Sequence, residues 1–360
     1  MFNSTRMTIL VISLLASISL SAQLDDAGRL ESLGVEGEMP DTLLGWDKGA
    51  GIGLDLTQIL VINPQAGAGQ NRFGIGGALG MYANYRDGRR TWHNNLALNL
   101  SVEKIGSGVV VDDNGDATDI KVPFRKSIDE LRLNSTFGYS FSEGSKWSYA
   151  IDFRFRSQLL SSYLGDEDGQ VYVSDINEGP YSNTLVSKLF SPARLGLGLG
   201  VMYTPNEHFT LTFTPATLDV IFIADEDIAN LGIHGNKLED GSTTVYKQSR
   251  IAFGANLKAE YQNKYWNDRV TFNSTLVLFS DYLADPQNVD VAWTNELAFE
   301  IVKGLQLSFN NSLFYDDDVL STISDKDSPG GILRNAAGEP VTRPAVNYYH
   351  QLLLKYVYLF

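Results

Sequence analysis

The charged residues best placed to do chemistry divide by sign. Arg132, Arg154, Arg156 and Arg194 stand in stretches where apolar and polar residues alternate, each in phase with the polar set. Asp281, Asp290, Glu296, Glu300 and Asp316 occupy the same phase far downstream. If these stretches are strands, a period of two puts all nine groups on one face. A basic wall opposite an acidic wall sets up a transverse field across a narrow space, whereas walls that meet form a ladder of ion pairs that fills it. Glu130 and Asp152 lie among the arginines, so neutralisation across adjacent strands is the plainer reading of the basic set.

Other chemistry has weaker support. Asp112, Asp113 and Asp116 sit in an Asp/Asn/Gly stretch with the composition of a calcium loop, but without its alternating ligand spacing or closing Glu. Similar acidic runs at 166–168, 225–227 and 316–318 read as solvated loop tips. Of four histidines, His93 and His208 adjoin turns, and His234 lies in a loop with no evident partner. His350 shares the apolar phase of the last run, where a lipid-facing hydrolase would keep its base; no Ser lies at a matching depth, so it reads as an interfacial polar residue. Neither an enzyme nor a cofactor is expected. Gly74, Gly76 and Gly80, and Gly196, Gly198 and Gly200, fall in the polar phase. They do not make a phosphate loop, since no helix follows and no Lys-Ser/Thr closes them. They either leave room for a solute or a folded-in loop, or permit bending and close packing.

The elements that must hold these residues are strands. Alternation runs through Ile52–Leu56, Phe73–Tyr85, Trp92–Val102, Leu131–Tyr139, Trp147–Phe155, Leu195–Tyr203, Phe209–Phe213, Ile251–Tyr261, Val270–Leu278, Val291–Ile301, Leu305–Tyr315 and Val346–Phe360. Twelve runs, an even number, predict an all-β fold, a transmembrane up-and-down antiparallel β-barrel. The last run carries Tyr356, Tyr358 and Phe360 on its aromatic face, the ending by which barrel-assembly machinery would recognise a closing strand. Short links at 86–90, 141–146, 205–208, 262–268 and 302–304 alternate with connections at 60–70, 106–125, 160–191, 224–244, 282–288 and 317–345, of which only 282–288 is compact. Trp46, Trp92, Trp147 and Trp266 cluster at the short-link end, as an interfacial girdle requires. The plain alternative is a soluble all-β domain with one aromatic sheet face.

Composition bounds the reading. The 360 residues hold 33 Gly, 17 Tyr and no Cys, and the only long apolar run is N-terminal, so a membrane crossing would have to use strands. Residues 1–22, with Arg6, an apolar stretch and Ser21-Ala22, read as a signal peptide; 23–45 reads as a periplasmic lead-in and 46–360 as the barrel. The formal charge of -15 argues against nucleic acid as a partner; outer-membrane lipid is the expected one.

The stretch from Asp281 through Tyr282, Pro286 and Asn288 to Trp293 resembles the signature of an uncharacterised family of outer-membrane barrels common in Bacteroidetes, domain of unknown function 3078. Trp46-Asp47-Lys48-Gly49, Ala83-Asn84-Tyr85, Tyr203-Thr204-Pro205-Asn206 and Tyr315-Asp316-Asp317-Asp318 support the resemblance. It implies fold and location, not activity. Two functions are therefore carried forward. One is a narrow conduit for small polar or charged solutes; twelve strands are too few for a wide channel. The other is a plugged barrel docking a surface lipoprotein or envelope assembly through the apolar loop 160–191, with Tyr172, Tyr181 and Phe190 as contacts.

Overall fold

A computed structural model of the chain describes residues 44–59, 72–105, 109–111, 117–121, 124–164, 171–173, 184–284, 286–316, 320–323, 333–335 and 341–359. The leader, nearly all of the lead-in, Asp112, Asp113, Asp116, Tyr181 and Phe360 lie outside the described residues. In chain order the strands are β1 (Gly45–Ile59), β2 (Arg72–Asp87), β3 (Arg90–Ile105), β4 (Val109–Val111), β5 (Ala117–Lys121), β6 (Arg125–Ser140), β7 (Trp147–Ser157), β8 (Ser162–Leu164), β9 (Val171–Val173), β10 (Leu185–Ser187), β11 (Ala193–Asn206), β12 (Phe209–Phe222), β13 (Ser249–Tyr265), β14 (Val270–Asp281), β15 (Asp290–Val302), β16 (Leu305–Tyr315), β17 (Leu320–Thr322), β18 (Thr342–Pro344) and β19 (Asn347–Leu359). Among the described residues one short helix, Glu226–Asn230, interrupts them. The chain is all-β and antiparallel, with almost no helix; no helix among the described residues is long and apolar enough to cross a membrane.

Among the described residues twelve strands are long and overlap the twelve runs of alternation; the other seven are pieces of three to five residues inside the long connections. Each long strand pairs antiparallel with the next one in sequence, from β1 to β19. β1 also pairs with β19, through Gly51 to Asp55 against Leu359 to Lys355. The turns Gly88–Arg89 and Lys303–Gly304 are tight, and both glycines have positive φ. They fall at the end where Trp46, Trp92 and Trp147 sit. There Trp46 stacks obliquely on Tyr85 and Trp92 at 5.1 and 5.8 Å, and Trp147 on Tyr203 at 4.6 Å.

Burial runs against the pattern of a water-soluble sheet. Ile52, Ile75, Ile151, Leu197, Leu199, Ile251 and Leu297 are exposed, Ile251 by 60% and Leu199 by 51%. Residues of the other parity on the long strands, including Asn99, Thr212, Thr217, Asn256, Glu296, Ser308 and Asn310, are buried. An apolar side chain left in water forgoes about 1.5–3 kcal/mol of burial, so exposed apolar residues on most of the long strands call for an apolar surrounding. At 11 to 17 residues the long strands meet or exceed the 9–11 that a tilted strand needs to span a hydrocarbon core.

Two irregularities require glycine. In β11 a Cβ at Gly200 would run into the Phe213 carbonyl, because a bulge around Thr214 and Pro215 brings that backbone inward. In β13 a Cβ at Gly254 would run into the Ser280 carbonyl. The bulge seats Pro215 where no ladder hydrogen bond is lost and pairs the Thr214 and Thr217 hydroxyls at 2.8 Å.

Candidate functional site

Three of the four arginines come together as the alternation requires. Arg132 on β6 lies opposite Arg156 on β7, and Arg156 opposite Arg194 on β11. The row continues through Ile221 on β12 to Arg250 on β13, an arginine that sequence reasoning missed because β13 was read only from Ile251 onward. Facing residues on adjacent strands have Cα atoms about 5 Å apart. At an effective dielectric constant of 20, two unit charges at that distance repel by about 3 kcal/mol. Only part of this is offset. The Glu130 carboxylate, buried on the cap side of the row, approaches Arg156 Nε at 3.0 Å. Asp219 and Asp316 act on Arg194 from further away, as do the like charges of Arg156 and Arg250. Arg132 and Arg194 make no hydrogen bond and no ion pair among the described residues, and the Nε of each is buried without a partner.

One step deeper, Arg154 lies between Asn134 and Gly196. A Cβ at Gly196 would meet the Arg154 guanidinium at 3.0–3.3 Å, so this glycine makes space for the side chain opposite it. Gly198 does the same for Thr214. Arg154 Nε is 3.3 Å from Asp152, which also faces Lys258 at 3.6 Å, and Lys258 reaches Glu260 at 3.1 Å. These four charges neutralise one another across and along the strands. The deeper basic residue is thus structural in the plain sense, while the row above it keeps an unbalanced excess.

The acidic set is not gathered in the same way. Asp290 and Glu300 are ten residues apart on β15, so about 30 Å separates them along the strand. Glu300 accepts the Gly304 N–H at 3.0 Å and is used by the turn; Asp281 accepts the Leu283 N–H at 2.8 Å and caps another. Glu296, 2% exposed, accepts from Asn273 and from Ser308, the latter at 2.7 Å. Asp316 acts electrostatically on Arg194 in the row. A basic row therefore faces scattered carboxylates, not a wall.

Above the row, residues 158–164, 171–173, 184–192 and 223–248 fold together into a cap. Asp129 starts it by accepting the N–H groups of Leu159 and Leu160 at 2.8 and 2.9 Å. β8, β9 and β10 form a small extension of the sheet, joined to β6 where Arg125 pairs with Tyr172. Val186 and Ile233 pack with Leu164 and Leu231, while Ile221, Ile223, Ile228 and Ala229 pack with Leu185. Lys188 pairs with Asp225 at 2.5 Å and holds its carboxyl below the usual range; the Ile228 N–H, which Asp225 caps, adds to the effect.

His234, without evident partner in the sequence, is buried in this cap. Its Nε2 lies 2.8 Å from the Val186 carbonyl, which can only accept, so Nε2 carries the proton. Burial, reinforced by the positive charges of Arg194 and Lys126, lowers its pKa to about 4. Gly235 lies directly against Ile221 and Arg250, so the His234–Gly235 corner roofs the arginine row. Beneath the roof, between Glu130, Arg156 and Arg194, is a cavity of about 10 Å³, room for no more than a water.

The expected partner contacts do not all remain available. Tyr172 is buried within this chain, while Phe190 is exposed and packs at 6.2 Å on Phe155. Tyr356 is exposed, and Tyr358 lies opposite Ile52 in the register of β19 with β1. No group of three or more metal-ligating side chains is placed to hold an ion among the described residues.

Residues 56–163 match the family described as protein of unknown function (DUF3078). No curated protein matches the sequence. Among solved structures the chain is similar to the translocator domain of the autotransporter NalP from Neisseria meningitidis, at 11% identity over 96% of this chain and 99% of that one, with a TM-score of 0.41. It is similar also to an outer membrane channel from Pseudomonas putida F1, at 12% identity over 90% and 100%, with a TM-score of 0.36.

Proposed function

We propose that this chain is an outer-membrane β-barrel of twelve strands, and that its interior is a narrow conduit for small polar or charged solutes. The inverted burial of the long strands carries the reading: exposed leucine and isoleucine on one face, buried amides, hydroxyls and charges on the other. Antiparallel pairing from β1 round to β19, with β19 returning to β1, supports closure. Lipid is then the partner of the apolar face. The leader directs export, and β19 is the strand that assembly machinery would read. The route through the interior follows the arginine side, where Arg154 and Arg156 are 29% and 32% exposed, and not the dry β15–β16 side around Glu296 and Ser308. For the rival scaffold reading, Leu189 and Phe190 of the apolar loop stay exposed, while Tyr172, Val173 and Val186 pack inside the cap.

Single-channel recording of the purified protein in a planar bilayer tests the proposal. A small, steady conductance is expected, with a charge selectivity that shifts in Arg154→Ala. A folded, heat-modifiable protein that inserts and stays silent would exclude the conduit.

A further inference from the structure

We propose that the row Arg132, Arg156 and Arg194 is a binding site for a small organic anion with two acidic groups, held by guanidinium forks from the interior side. The inference names the solute class for the conduit proposed above and rests on that reading. Four observations lead to it. The row is in register on three adjacent strands, so successive forks recur at roughly the 5 Å strand spacing, close to the reach of a short dicarboxylate or of one phosphate bridging two forks. Among the described residues Arg132 and Arg194 have no hydrogen-bonding partner, and a guanidinium, unlike an ammonium, presents paired donors that match a carboxylate or phosphate edge. Glu130 pairs with Arg156 from the cap side and with neither flanking arginine, so Arg194 meets only the more distant charges of Asp219 and Asp316. The His234–Gly235 roof closes the side towards the long connections, so the donors face a confined space. In a chain of formal charge -15 the row is a local inversion of sign, and an acidic solute has reason to stop here and not elsewhere.

The test uses the full-length folded barrel in detergent for calorimetric titration and in bilayers for current, with succinate, inorganic phosphate and acetate as probes. Succinate or phosphate should bind and interrupt the chloride current, acetate far less; which of the two binds tighter tells a dicarboxylate from a phosphorylated solute. The double variant Arg132→Gln/Arg194→Gln should weaken binding at least tenfold. Arg132→Lys/Arg194→Lys keeps both charges and should also lose most of the affinity. Heat-modifiable migration verifies folding of each variant. Wild-type affinity in either variant, or no binding of either dianion to the wild-type barrel, overturns the site whatever the current. Arginine-dependent binding by a barrel that passes no current upholds the site and removes the conduit.

Discussion

Replacing Arg132 with Gln should make the protein more stable. Arg132 faces Arg156 across a single strand gap and has no carboxylate of its own, so removing its charge relieves one neighbour repulsion. That repulsion is about 3 kcal/mol at 5 Å and an effective dielectric constant of 20. The Glu130 carboxylate at 3.0 Å from Arg156 already offsets much of it, and the side chains can splay, which leaves a gain of roughly 1 kcal/mol. The complementary change should have the opposite sign. Glu130→Gln strips the row of its paired carboxylate; breaking a buried pair costs about 3–5 kcal/mol, reduced here to roughly 2–3 because Arg156 is partly solvated. Guanidinium-induced unfolding in lipid vesicles, followed by tryptophan fluorescence, reads both. A loss of stability in Arg132→Gln approaching that of Glu130→Gln would refute the reasoning, since it would mean that Arg132 is held by attraction.

Three further changes probe other parts of the molecule. Leu199→Arg on the exposed apolar face should cost about 2–4 kcal/mol if that face meets hydrocarbon, against little change for Asn256→Ser on the opposite face; the same unfolding assay compares them. Gly200→Ala drives a methyl group into the Phe213 carbonyl and should cost about 1–3 kcal/mol, read as a lower midpoint with an unchanged denaturant slope. The cap should loosen in acid. His234 has a folded pKa of about 4 against about 6.5 when unfolded, so between those values the unfolded state binds more protons and stability falls as pH drops from 6.5 through 4. Protease cleavage within 224–248 should rise over that window in the wild type and lose the dependence in His234→Gln; equal cleavage at pH 7 and pH 4 would contradict the burial of this ring.

The strands were legible because each has one face that must meet a single kind of surroundings, and a period of two survives every local substitution. Leu195, Leu197 and Leu199 against Arg194, Gly196 and Gly198 fix the phase of β11 without reference to any other segment. The arginine row was legible for the same reason: phase plus hairpin order places Arg132, Arg156 and Arg194 side by side. The acidic residues were not, since phase says nothing about depth or about competing local partners. Glu300 and Asp281 are taken by backbone N–H groups within four residues, a matter of turn geometry that alternation does not encode. The cap was hidden for a related reason. β8, β9 and β10 have three residues each, too few to show a period, and the contact of Val186 with Ile233 joins two loops with no pattern in common. Its one sequence signal was an apolar content too high for a solvated loop.

The pairing of β1 with β19 differs from its counterparts in length and in origin. It holds five register pairs, against fifteen between β1 and β2. Each of the other long-strand pairings joins long strands that follow one another in sequence, and so can zip from a turn or loop already in place. This one has the highest contact order in the molecule, closing a loop of roughly three hundred residues whose entropy is charged against a handful of hydrogen bonds. It is therefore the pairing to form last and to fray first. Amide hydrogen exchange should be fastest along the Gly51–Asp55 edge, making this short seam the line along which the sheet breathes.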